Sequence, residues 1–315
     1  MTQTSAALTV RPAYRPYLLD VAHVERLSPS FVRVTLVGDE LEHFGTAGLD
    51  QRIKVLFPRA DGTISDVGQE DEEAVAAALW YERWRALPTE DRSPFRTYTV
   101  RAVRPSAREL DIEFVVHHDP GPAGEWAAQA APGQRLLVVG PDQRSPHSGS
   151  GIDWRPGPAR RLLLAGDETA APAIQSIVES LGEGYDVDAF IEVPEAADIR
   201  PCATPQGVRL TWLPRSGREH GEALRGAVEA WCGSAEGVLQ RASSPLPQEL
   251  DDIDVDRDLL WDSPDPADGE FYAWFAGEAA TIKALRRQLV QGCGVDRRRV
   301  AFMGYWRRGH AERVE

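Results

Sequence analysis

The pattern of apolar and polar residues changes halfway along the chain. In the first half the two alternate, as in SFVRVTLVGDE, where Val32, Val34 and Leu36 are separated by polar residues. A period of two is typical of a strand with one buried face. Six such segments with turn residues between them favour an antiparallel β-barrel. The other five segments are YLLDVAHVERL, QRIKVLF, FRTYTVRAV, ELDIEFVVHH and QRLLVVG.

One helical segment interrupts these strands. In DEEAVAAALWYERWRALP, Val75, Leu79 and Trp84 fall at helical spacings, which predicts a single helix packed over one end of the barrel. The stretch 141–160 is rich in Pro, Gly and Ser, and it is predicted to link two domains.

In the second half, short continuously apolar strands alternate with helices. RLLLAG is followed by Ile174, Ile177 and Leu181 at helical spacing. This alternation predicts a doubly wound parallel sheet. The later predicted strands are VDAFIEV, GVRLTWL, FYAWFAG and RVAFMGYW. We therefore predict a first domain over 1–155 and a second over 156–315, with an acidic insertion or mobile loop at about 234–268.

Composition narrows the function classes. The formal net charge of −14 argues against nucleic-acid binding, although a local basic pocket can still hold an anion because distant charges are screened. The three cysteines are far apart and form no CxxC, which excludes a cysteine-based zinc or iron–sulfur site. With no signal-peptide pattern and no apolar run of about 18 residues, a cytoplasmic protein without a membrane span is expected.

RTYTVR is an unusual composition for a strand. On an ideal strand Arg96 and Tyr98 share one face, and Thr97 and Thr99 share the other. An arginine can bind a phosphate with two charge-assisted bonds, and a tyrosine ring can lie against a flat heterocycle. The ribbon is therefore a candidate seat for an aromatic, phosphate-bearing ligand. The alternative is an ordinary barrel strand with an exposed arginine and a core tyrosine.

The segment 114–134 joins a strand to a helix through small residues. The strand ends in His117 and His118, and Gly121 to Gly124 precede a helix that starts near Trp126. Small residues before a helix let backbone N–H groups approach an anion. The adjacent histidines face opposite sides of the strand and cannot both bind one metal from the same side. No metal site is predicted.

LLLAGDETAAPAIQSI has the form of a nucleotide-binding turn. A strand ends at Gly166, and a helix follows with Thr169 as the predicted N-cap and Pro172 in its first turn. However, the turn is not GxGxxG, and Asp167 and Glu168 would repel a phosphate placed on them. A well-capped helix without a ligand is the alternative.

In order and spacing, these motifs resemble the siderophore-interacting proteins, flavin-dependent ferric-siderophore reductases of the ferredoxin–NADP reductase-like superfamily. The resemblance spans nearly the whole chain and implies an FAD-binding barrel followed by an NAD(P)H-binding domain. The matching segments are RTYTVR, FVVHHDPGPAGEWA, LLLAGDETAAPAI, FIEVPEAAD, WLPR, WFAGEA and YWRRG.

The resemblance implies that Arg96 meets the FAD pyrophosphate, Tyr98 packs on the isoalloxazine ring and Thr99 bonds near the flavin N5. Because Thr99 should point away from the face of Tyr98, a bend, a bulge or a backbone contact is required there. Family members often carry serine at the position of Gly124, so a hydroxyl contact is lost. The other implied flavin contacts are Thr97, Val116, His117, Gly121, Ala123, Gly124, Trp126, Asp167, Thr169, Ala170 and Trp306, with Tyr305 as a second aromatic candidate.

The resemblance also implies a nicotinamide site in the second domain, but the residues do not decide between NADH and NADPH as the electron donor. Glu192 ends a strand where an acid can bond the adenosine ribose, which favours NADH. Arg215 follows the next strand and could accept the 2′-phosphate of NADPH. The other implied contacts are Gly166, Glu168, Gly277 and Glu278.

The expected reaction is hydride transfer from NAD(P)H to FAD, then single-electron transfer to a ferric siderophore, which releases Fe(II). No residue is expected to act as an acid, a base or an iron ligand, and a monomer is expected. The candidate substrate contacts are Arg52, Lys54, Arg307 and Arg308. The alternatives are a flavin reductase with a quinone or a protein electron carrier as acceptor, and a siderophore-binding flavoprotein without turnover.

Overall fold

The computed structural model describes residues 11–116, 121–255, 257–265 and 268–309. Within them the chain divides into two compact units. The first comprises residues 11–25, 33–114 and 121–151, and the second comprises 26–32, 115–116 and the described residues from 152 onwards. The domain boundary between residues 155 and 156 stays a prediction.

The first unit is built on a seven-stranded sheet with the order β4-β3-β7-β1-β2-β6-β5. The pairs β1–β7, β3–β4, β3–β7 and β5–β6 are antiparallel. Val34, Leu36 and Val55 have no exposed surface, as the alternating pattern predicts. The strands are β1 Tyr14–Arg26, β2 Phe31–Val37, β3 Arg52–Leu56, β4 Phe95–Thr99, β5 Ala102–Arg104, β6 Glu109–Val115 and β7 Arg135–Pro141.

The two edges of this sheet must meet. β4 and β5 lie at opposite ends of the strand order, although only Val100 and Arg101 separate them along the chain. A link of that length spans at most roughly 10 Å, so the sheet curls like a barrel. The predicted single strand FRTYTVRAV is therefore two strands, which makes seven where six were predicted. The chain changes partner from β3 to β6 at this link.

The single helix predicted over residues 71–88 is wrong. The structure has two short helices, α1 Glu72–Ala76 and α2 Trp80–Ala86. Ala78 between them has a φ of 57°, a left-handed conformation that a continuous helix cannot contain. The predicted packing role holds for α2, since Trp84 is buried in a cluster on the sheet. That cluster contains Leu56, Val67, Trp84, Phe95, Leu137 and Val139.

The second unit is built on a six-stranded sheet with the order β10-β9-β8-β12-β13-β11. The first five strands in this order are parallel, and β11 pairs antiparallel with β13 at the edge. All residues of β12 are buried, as expected for a strand covered on both faces. The strands are β8 Arg161–Gly166, β9 Asp186–Val193, β10 Val208–Pro214, β11 Trp261–Asp262, β12 Phe271–Glu278 and β13 Val300–Trp306.

Part of the acidic segment predicted as an insertion or mobile loop is folded. Within 234–268, Leu239 and Leu260 are buried in the core of this unit, and β11 extends the sheet. Apolar residues among the acidic ones supply this contact. The helices are α3 Pro122–Ala128 in the first unit, and α4 Ala171–Ser180, α5 Glu222–Ser234, α6 Glu236–Ala242 and α7 Ala279–Arg287 in the second.

The predicted fold class is confirmed: a curled antiparallel sheet precedes a doubly wound, mainly parallel one. The order of the second sheet reverses between β8 and β12. Ligands of such sheets lie at the carboxyl ends of the strands beside this reversal. The topology therefore directs attention to the residues that follow Gly166 and Gly277. Among the described residues, no helix is long and apolar enough to cross a membrane.

The left-handed residue Ala78 generates a stability prediction. Replacing it with glycine should raise the free energy of unfolding by about 0.5–1 kcal/mol, because glycine adopts this conformation without steric cost. The same substitution at Ala230, an exposed residue inside α5, should lower it by about 1 kcal/mol. Urea denaturation of both variants measures the two changes. A loss of stability in Ala78→Gly would contradict the assigned break between α1 and α2.

Candidate functional site

The ribbon RTYTVR lies mainly in β4, where register with β3 fixes the two faces. Lys54 lies opposite Thr97, and Arg52 lies opposite Thr99. Because opposite residues share a face, two of the predicted substrate contacts lie with the two threonines. Arg96 and Tyr98 lie on the other face, as the alternation predicts.

The chain changes pairing partner at the end of this ribbon. β4 ends at Thr99, the Val100 N–H still donates to Gln51, and the Arg101 N–H donates to Asp111 on β6. Thr99 nevertheless shares the face of Arg52 rather than that of Tyr98. Its predicted contact near the flavin N5 stays a prediction.

Tyr98 belongs to an aromatic cluster. Its ring centroid lies 4.6 Å from that of Phe114, and Trp126 packs 5.6 Å from both Phe57 and Phe114. Phe57 and Phe114 are fully buried, whereas Tyr98 and Trp126 keep partial exposure. The two exposed rings thus stand on a rigid apolar base, which suits the docking of a flat aromatic group.

Within the part of the chain that the structure describes, one polar atom of this cluster lacks a partner. Among the described residues, the indole Nε1 of Trp126 is buried and makes no hydrogen bond. A buried N–H donor of this kind is normally paired. The position of this N–H therefore fits a hydrogen bond to an acceptor atom of a cofactor. Tyr98, Trp126 and the half-buried Arg96 together fit a flavin nucleotide by chemical type.

The remaining predicted flavin contacts of this region lie on the β6–α3 connection and within α3, which starts at Pro122 rather than near Trp126 as predicted. Val116 donates its N–H to Ser30. Gly121 caps α3 in open space, Ala123 is buried and Gly124 is half-buried. His117 lies outside the described residues, so its assignment stays a prediction.

In the second unit, Asp167 is the centre of a hydrogen-bond network at the carboxyl edge of the sheet. Its Oδ1 accepts from the backbone N–H of Thr169 at 2.9 Å and from the Thr169 hydroxyl at 2.5 Å. Its Oδ2 accepts from the N–H of Glu278 at 2.7 Å and from the indole N–H of Trp306 at 2.9 Å. Burial and then Glu168 raise the pKa of Asp167, and the bonds from the donors oppose this because they favour the ionised form.

Thr169, predicted as the N-cap of α4, does not have that role. The N-cap is Ala170, without a side-chain bond, and the Thr169 hydroxyl turns back to Asp167. The charge-assisted bond from the hydroxyl to the carboxylate fixes the orientation of the Thr169 side chain. Pro172 does lie in the first turn, as predicted.

Gly277 makes room for this carboxylate. Its φ of 149° disfavours side chains, and an added Cβ would lie 2.6 Å from Asp167 Oδ2. The next residue, Glu278, caps α7 by accepting from the Thr281 N–H at 2.8 Å. Gly166 and Ala170 are fully packed against each other, since a Cβ on Gly166 would lie 2.5 Å from that of Ala170.

Glu168 and Arg215 form a buried, bidentate ion pair. The guanidinium nitrogens lie 2.7 and 2.9 Å from the two Glu168 oxygens, and one lies 3.3 Å from Glu192. Burial by itself raises the pKa of Glu168, but neighbouring His220 and the bonds from Arg215 lower it to about 2. This carboxylate is therefore ionised at neutral pH.

Glu192 has a structural role in the conformation described. It is fully buried, and its two oxygens accept from the N–H groups of Gly221 at 2.7 Å and Leu224 at 2.9 Å. These bonds satisfy the first turn of α5. A ribose contact by Glu192 would require them to break, so that assignment stays a prediction that this geometry does not favour.

A pocket of about 390 Å³ opens beside this network. It unites residues to which the sequence assigned separate roles, and it adds His220 and Arg218, which the sequence analysis missed. Their only signal was their place after the third parallel strand, in the segment SGREHG. The lining includes Glu168, Arg215, Arg218, His220, Trp306 and Arg308.

The last predicted contacts lie around the end of β13. Tyr305 stacks on Trp261 with ring centroids 5.9 Å apart, which occupies one of its faces. Arg307 donates to the carbonyl of Asp258, whereas Arg308 is exposed at the pocket. In the first unit, Lys54 Nζ donates to the Thr97 hydroxyl at 2.5 Å.

Comparison with known proteins gives a family match for each half of the chain. The family described as the siderophore-interacting FAD-binding domain matches residues 20–145, and that of the siderophore-interacting protein matches residues 159–309. The chain is thus built from the two parts of a flavin-dependent reductase of the ferredoxin-reductase fold.

The matched relatives are similar over nearly their whole length. A siderophore utilization protein from T. fusca superposes with a TM-score of 0.66 at 30% identity, covering 96% of both chains. The ferric vibriobactin reductase of Vibrio cholerae is 29% identical over 94% of this chain and 91% of that protein. The NADPH-dependent ferric-chelate reductase of Escherichia coli is 28% identical over 91% of each.

The chain belongs to the siderophore-interacting protein family. The predicted family and the predicted FAD cofactor are confirmed. At the level of the family, the predictions of an enzyme and of a nicotinamide electron donor are confirmed as well. The roles of the individual site residues remain predictions.

The contact between Gly277 and Asp167 is open to a direct test. Gly277→Ala should lower the free energy of unfolding by about 1–3 kcal/mol, because the added methyl group meets the carboxylate in a strained backbone. The matched control is Gly292→Ala, where an added Cβ meets no heavy atom within 4 Å. It should change stability by no more than about 0.5 kcal/mol. Equal effects of the two substitutions, measured by thermal unfolding, would contradict the packing described.

Proposed function

We propose that this protein is an NADPH-dependent flavoprotein that reduces ferric siderophores and so releases Fe(II). The observation that carries the proposal is the presence in one chain of both family domains, 20–145 and 159–309. The names of the relatives from Vibrio cholerae and Escherichia coli support the same reaction. Bound FAD would supply the redox chemistry, accepting a hydride from the nucleotide and passing electrons singly to the ferric chelate.

In this proposal, the first unit holds FAD. Tyr98 and Trp126 present rings on a buried aromatic base, and the indole N–H of Trp126 is available for a cofactor acceptor among the described residues. Arg96 would bind the pyrophosphate with charge-assisted bonds. The protein's part is to fix the position of the cofactor rather than to transfer protons.

The second unit would select NADPH. Both oxygens of Glu192 are used within the protein, which removes the residue that favoured NADH. Arg215 at this pocket is paired with Glu168, but the pocket also presents Arg218 and Arg308, and cationic groups suit a nucleotide with an additional phosphate. The whole chain is acidic, but distant charges are screened by salt. The arginines at the pocket are close enough to a bound nucleotide to act on it.

Lys54 is the proposed contact for the ferric siderophore. It lies half-buried on the face of β3 that also carries Arg52, with its ammonium group 5.5 Å from the ring of Phe95. A partly desolvated ammonium group attracts anionic chelates more strongly than a fully hydrated one. Reduction weakens the hold of oxygen donors on the iron, so no iron ligand from the protein is required.

Arg96→Gln tests the flavin seat. It should weaken FAD binding about 10- to 100-fold, the loss expected for a charge-assisted bond. Arg135→Gln is the control, because Arg135 is also a strand arginine of the first unit but is exposed and paired with Asp20. Fluorescence titration with FAD measures both. Equal affinity of Arg96→Gln and the unmodified protein would remove Arg96 from the site.

Lys54→Met tests whether a ferric siderophore is the electron acceptor. With NADPH as donor and Fe(II) trapped by a coloured chelator, the variant should reduce an anionic ferric siderophore about tenfold less efficiently. Its rate with a neutral quinone should be unchanged. Lys283→Met controls for loss of charge, since the chain's only other lysine bonds to Ile253 and Asp252.

The outcomes separate the two candidate acceptors. Equal losses with siderophore and quinone would contradict a direct contact between Lys54 and the chelate. Quinone reduction without any Fe(II) release in the unmodified protein would favour the alternative flavin reductase.

A further inference from the structure

Two of the three cysteines, which are far apart in the sequence, meet in the fold of the second unit. Cys232 lies near the end of α5 and is buried in the core, and Cys293, which keeps partial exposure, packs against the same core. The thiol of Cys232 donates a hydrogen bond to the sulfur of Cys293. In the structure as described, both cysteines are free thiols. The proposed reaction uses neither of them.

The local backbone fixes the position of Cys293. Residues Gln288–Gly292 form a π-helical turn at the end of α7, and the N–H of Cys293 donates to the first carbonyl of that turn at 2.9 Å. Single π-helical turns are rare in proteins and occur frequently at functional positions. On the other side, the N–H of Val295 donates to the carbonyl of Leu289 at 3.1 Å. These two bonds anchor the segment that presents Cys293 to Cys232.

The segment around Cys293 also has room for the small movement that a covalent bond requires. Two hydrogen-bonded sulfur atoms must approach to about 2 Å to form a disulfide bond. Cys293 is flanked by Gly292 and Gly294, and a Cβ added at Gly292 would meet no heavy atom within 4 Å. Cys232, by contrast, is held inside a helix and the core. The movement therefore falls on Cys293.

The two sulfur atoms differ in reactivity. The hydrogen bond from Cys232 lowers the pKa of the Cys293 thiol, although burial opposes this. The same bond raises the pKa of Cys232, and burial, the charge of Cys293 and the carboxylate of Glu229 raise it further. Cys293 is thus the more exposed sulfur and also the one that more readily forms a thiolate, which is the reactive form of cysteine.

We propose that Cys232 and Cys293 are a peroxide-reactive dithiol: a hydroperoxide oxidises Cys293 first, and Cys232 then closes a reversible disulfide bond between α5 and the segment after α7. Cysteines that respond to oxidants combine thiolate character and access to solvent with a second cysteine close by. This pair has all three properties. The assignment goes beyond the proposed reaction and does not depend on it.

The chemistry balances with one hydroperoxide for each pair of thiols. In the first step the Cys293 thiolate attacks an oxygen of the hydroperoxide, so that an S–O bond forms and the O–O bond breaks. The leaving oxygen takes up a proton and departs as water or an alcohol. In the second step the sulfur of Cys232 attacks the Cys293 sulfenic acid, an S–S bond forms, and the leaving hydroxide takes the Cys232 proton to give water. The two thiols lose the two electrons that the hydroperoxide gains, and a dithiol reductant reverses the bond by exchange.

The disulfide bond should stabilise the second unit. It closes a loop of about 60 residues, which contains β12 and α7. A cross-link of this length restricts the unfolded chain more than the folded one. The oxidised protein should therefore unfold at a temperature higher by about 5–10 °C. A cross-linked protein that unfolds at a lower temperature would contradict the geometry described, since the bond would then strain the core.

Mass spectrometry of the full-length protein tests the proposal directly. Reduced protein, with and without added FAD, is treated with hydrogen peroxide and then alkylated under denaturing conditions. We expect a peptide pair joined through Cys232 and Cys293, which dithiothreitol should separate again. Cys202 should remain open to alkylation. It is the internal control, because it is also partly exposed but its thiol lies 3.7 Å from a carboxylate oxygen of Glu179.

Three variants separate the two steps. In Cys232→Ala the sulfenic acid of Cys293 should persist, and dimedone should trap it about tenfold faster than it labels Cys202. In Cys293→Ser no disulfide bond should form, and Cys232 should stay reduced. Cys202→Ser should form the bond as the unmodified protein does.

Three results would overturn the proposal. They are the absence of the Cys232–Cys293 peptide pair from the peroxide-treated unmodified protein, a bond to Cys202 in its place, and equal labelling of Cys293 and Cys202 in Cys232→Ala. The first two are read from the unmodified protein, so a variant that fails to fold does not leave the question open. The experiment needs no electron donor and no siderophore, so its failure is distinguishable from a failure of the proposed reaction.

Discussion

The carboxylate of Asp167 is the interaction on which the second unit's site depends. It accepts from Thr169, Glu278 and Trp306, residues that follow or end three different segments of the sheet edge. Without it, several buried donors would lose their acceptor, at about 1–3 kcal/mol each. The close approach that this requires explains why glycine occupies position 277. One side chain thereby ties the carboxyl ends of β8, β12 and β13 together.

The location of this carboxylate follows from topology. Burial and then Glu168 raise its pKa, whereas His220 and the bonds from Thr169 and Trp306 oppose this. The reversal of strand order between β8 and β12 opens the sheet edge where Asp167 lies. Arg215 compensates Glu168 through two short bonds, and His220 faces the charge that remains. A net acidic chain thus presents three arginines at this pocket, Arg215, Arg218 and Arg308, beside Glu168 and Glu219. The proposed NADPH preference is a consequence of this local balance.

The sequence predicts the elements well where periodicity and burial agree. The continuous apolar runs of β8 and β12 and the helical spacing of Ile174 and Ile177 give the parallel sheet and α4 directly. The break at Ala78 was not predictable, because alanine favours helix. The left-handed residue belongs to a helix end, where the N–H of Leu79 donates to the carbonyl of Ala74. A partner change at Val100 likewise leaves no local signal in an otherwise regular β pattern.

Site residues are harder to predict, because their roles depend on partners that are distant in sequence. Glu192 looks like a ribose ligand from its place at a strand end, but the free N–H groups of α5 take its oxygens. His220 belongs to no sequence motif. Its place in the site is apparent only from its distance to Asp167, some fifty residues earlier in the chain. Arg96 and Tyr98 could be placed on one face because a strand's alternation is a local property.

The most direct test of the account is the visible absorbance spectrum of the FAD-loaded protein under anaerobic conditions. NADPH should bleach the band of oxidised flavin faster than NADH does, and a ferric siderophore added afterwards should restore it as Fe(II) appears. A protein that binds no flavin in excess FAD would contradict the assignment of the first unit. A bleached flavin that no ferric chelate restores would contradict ferric siderophore reduction as the function.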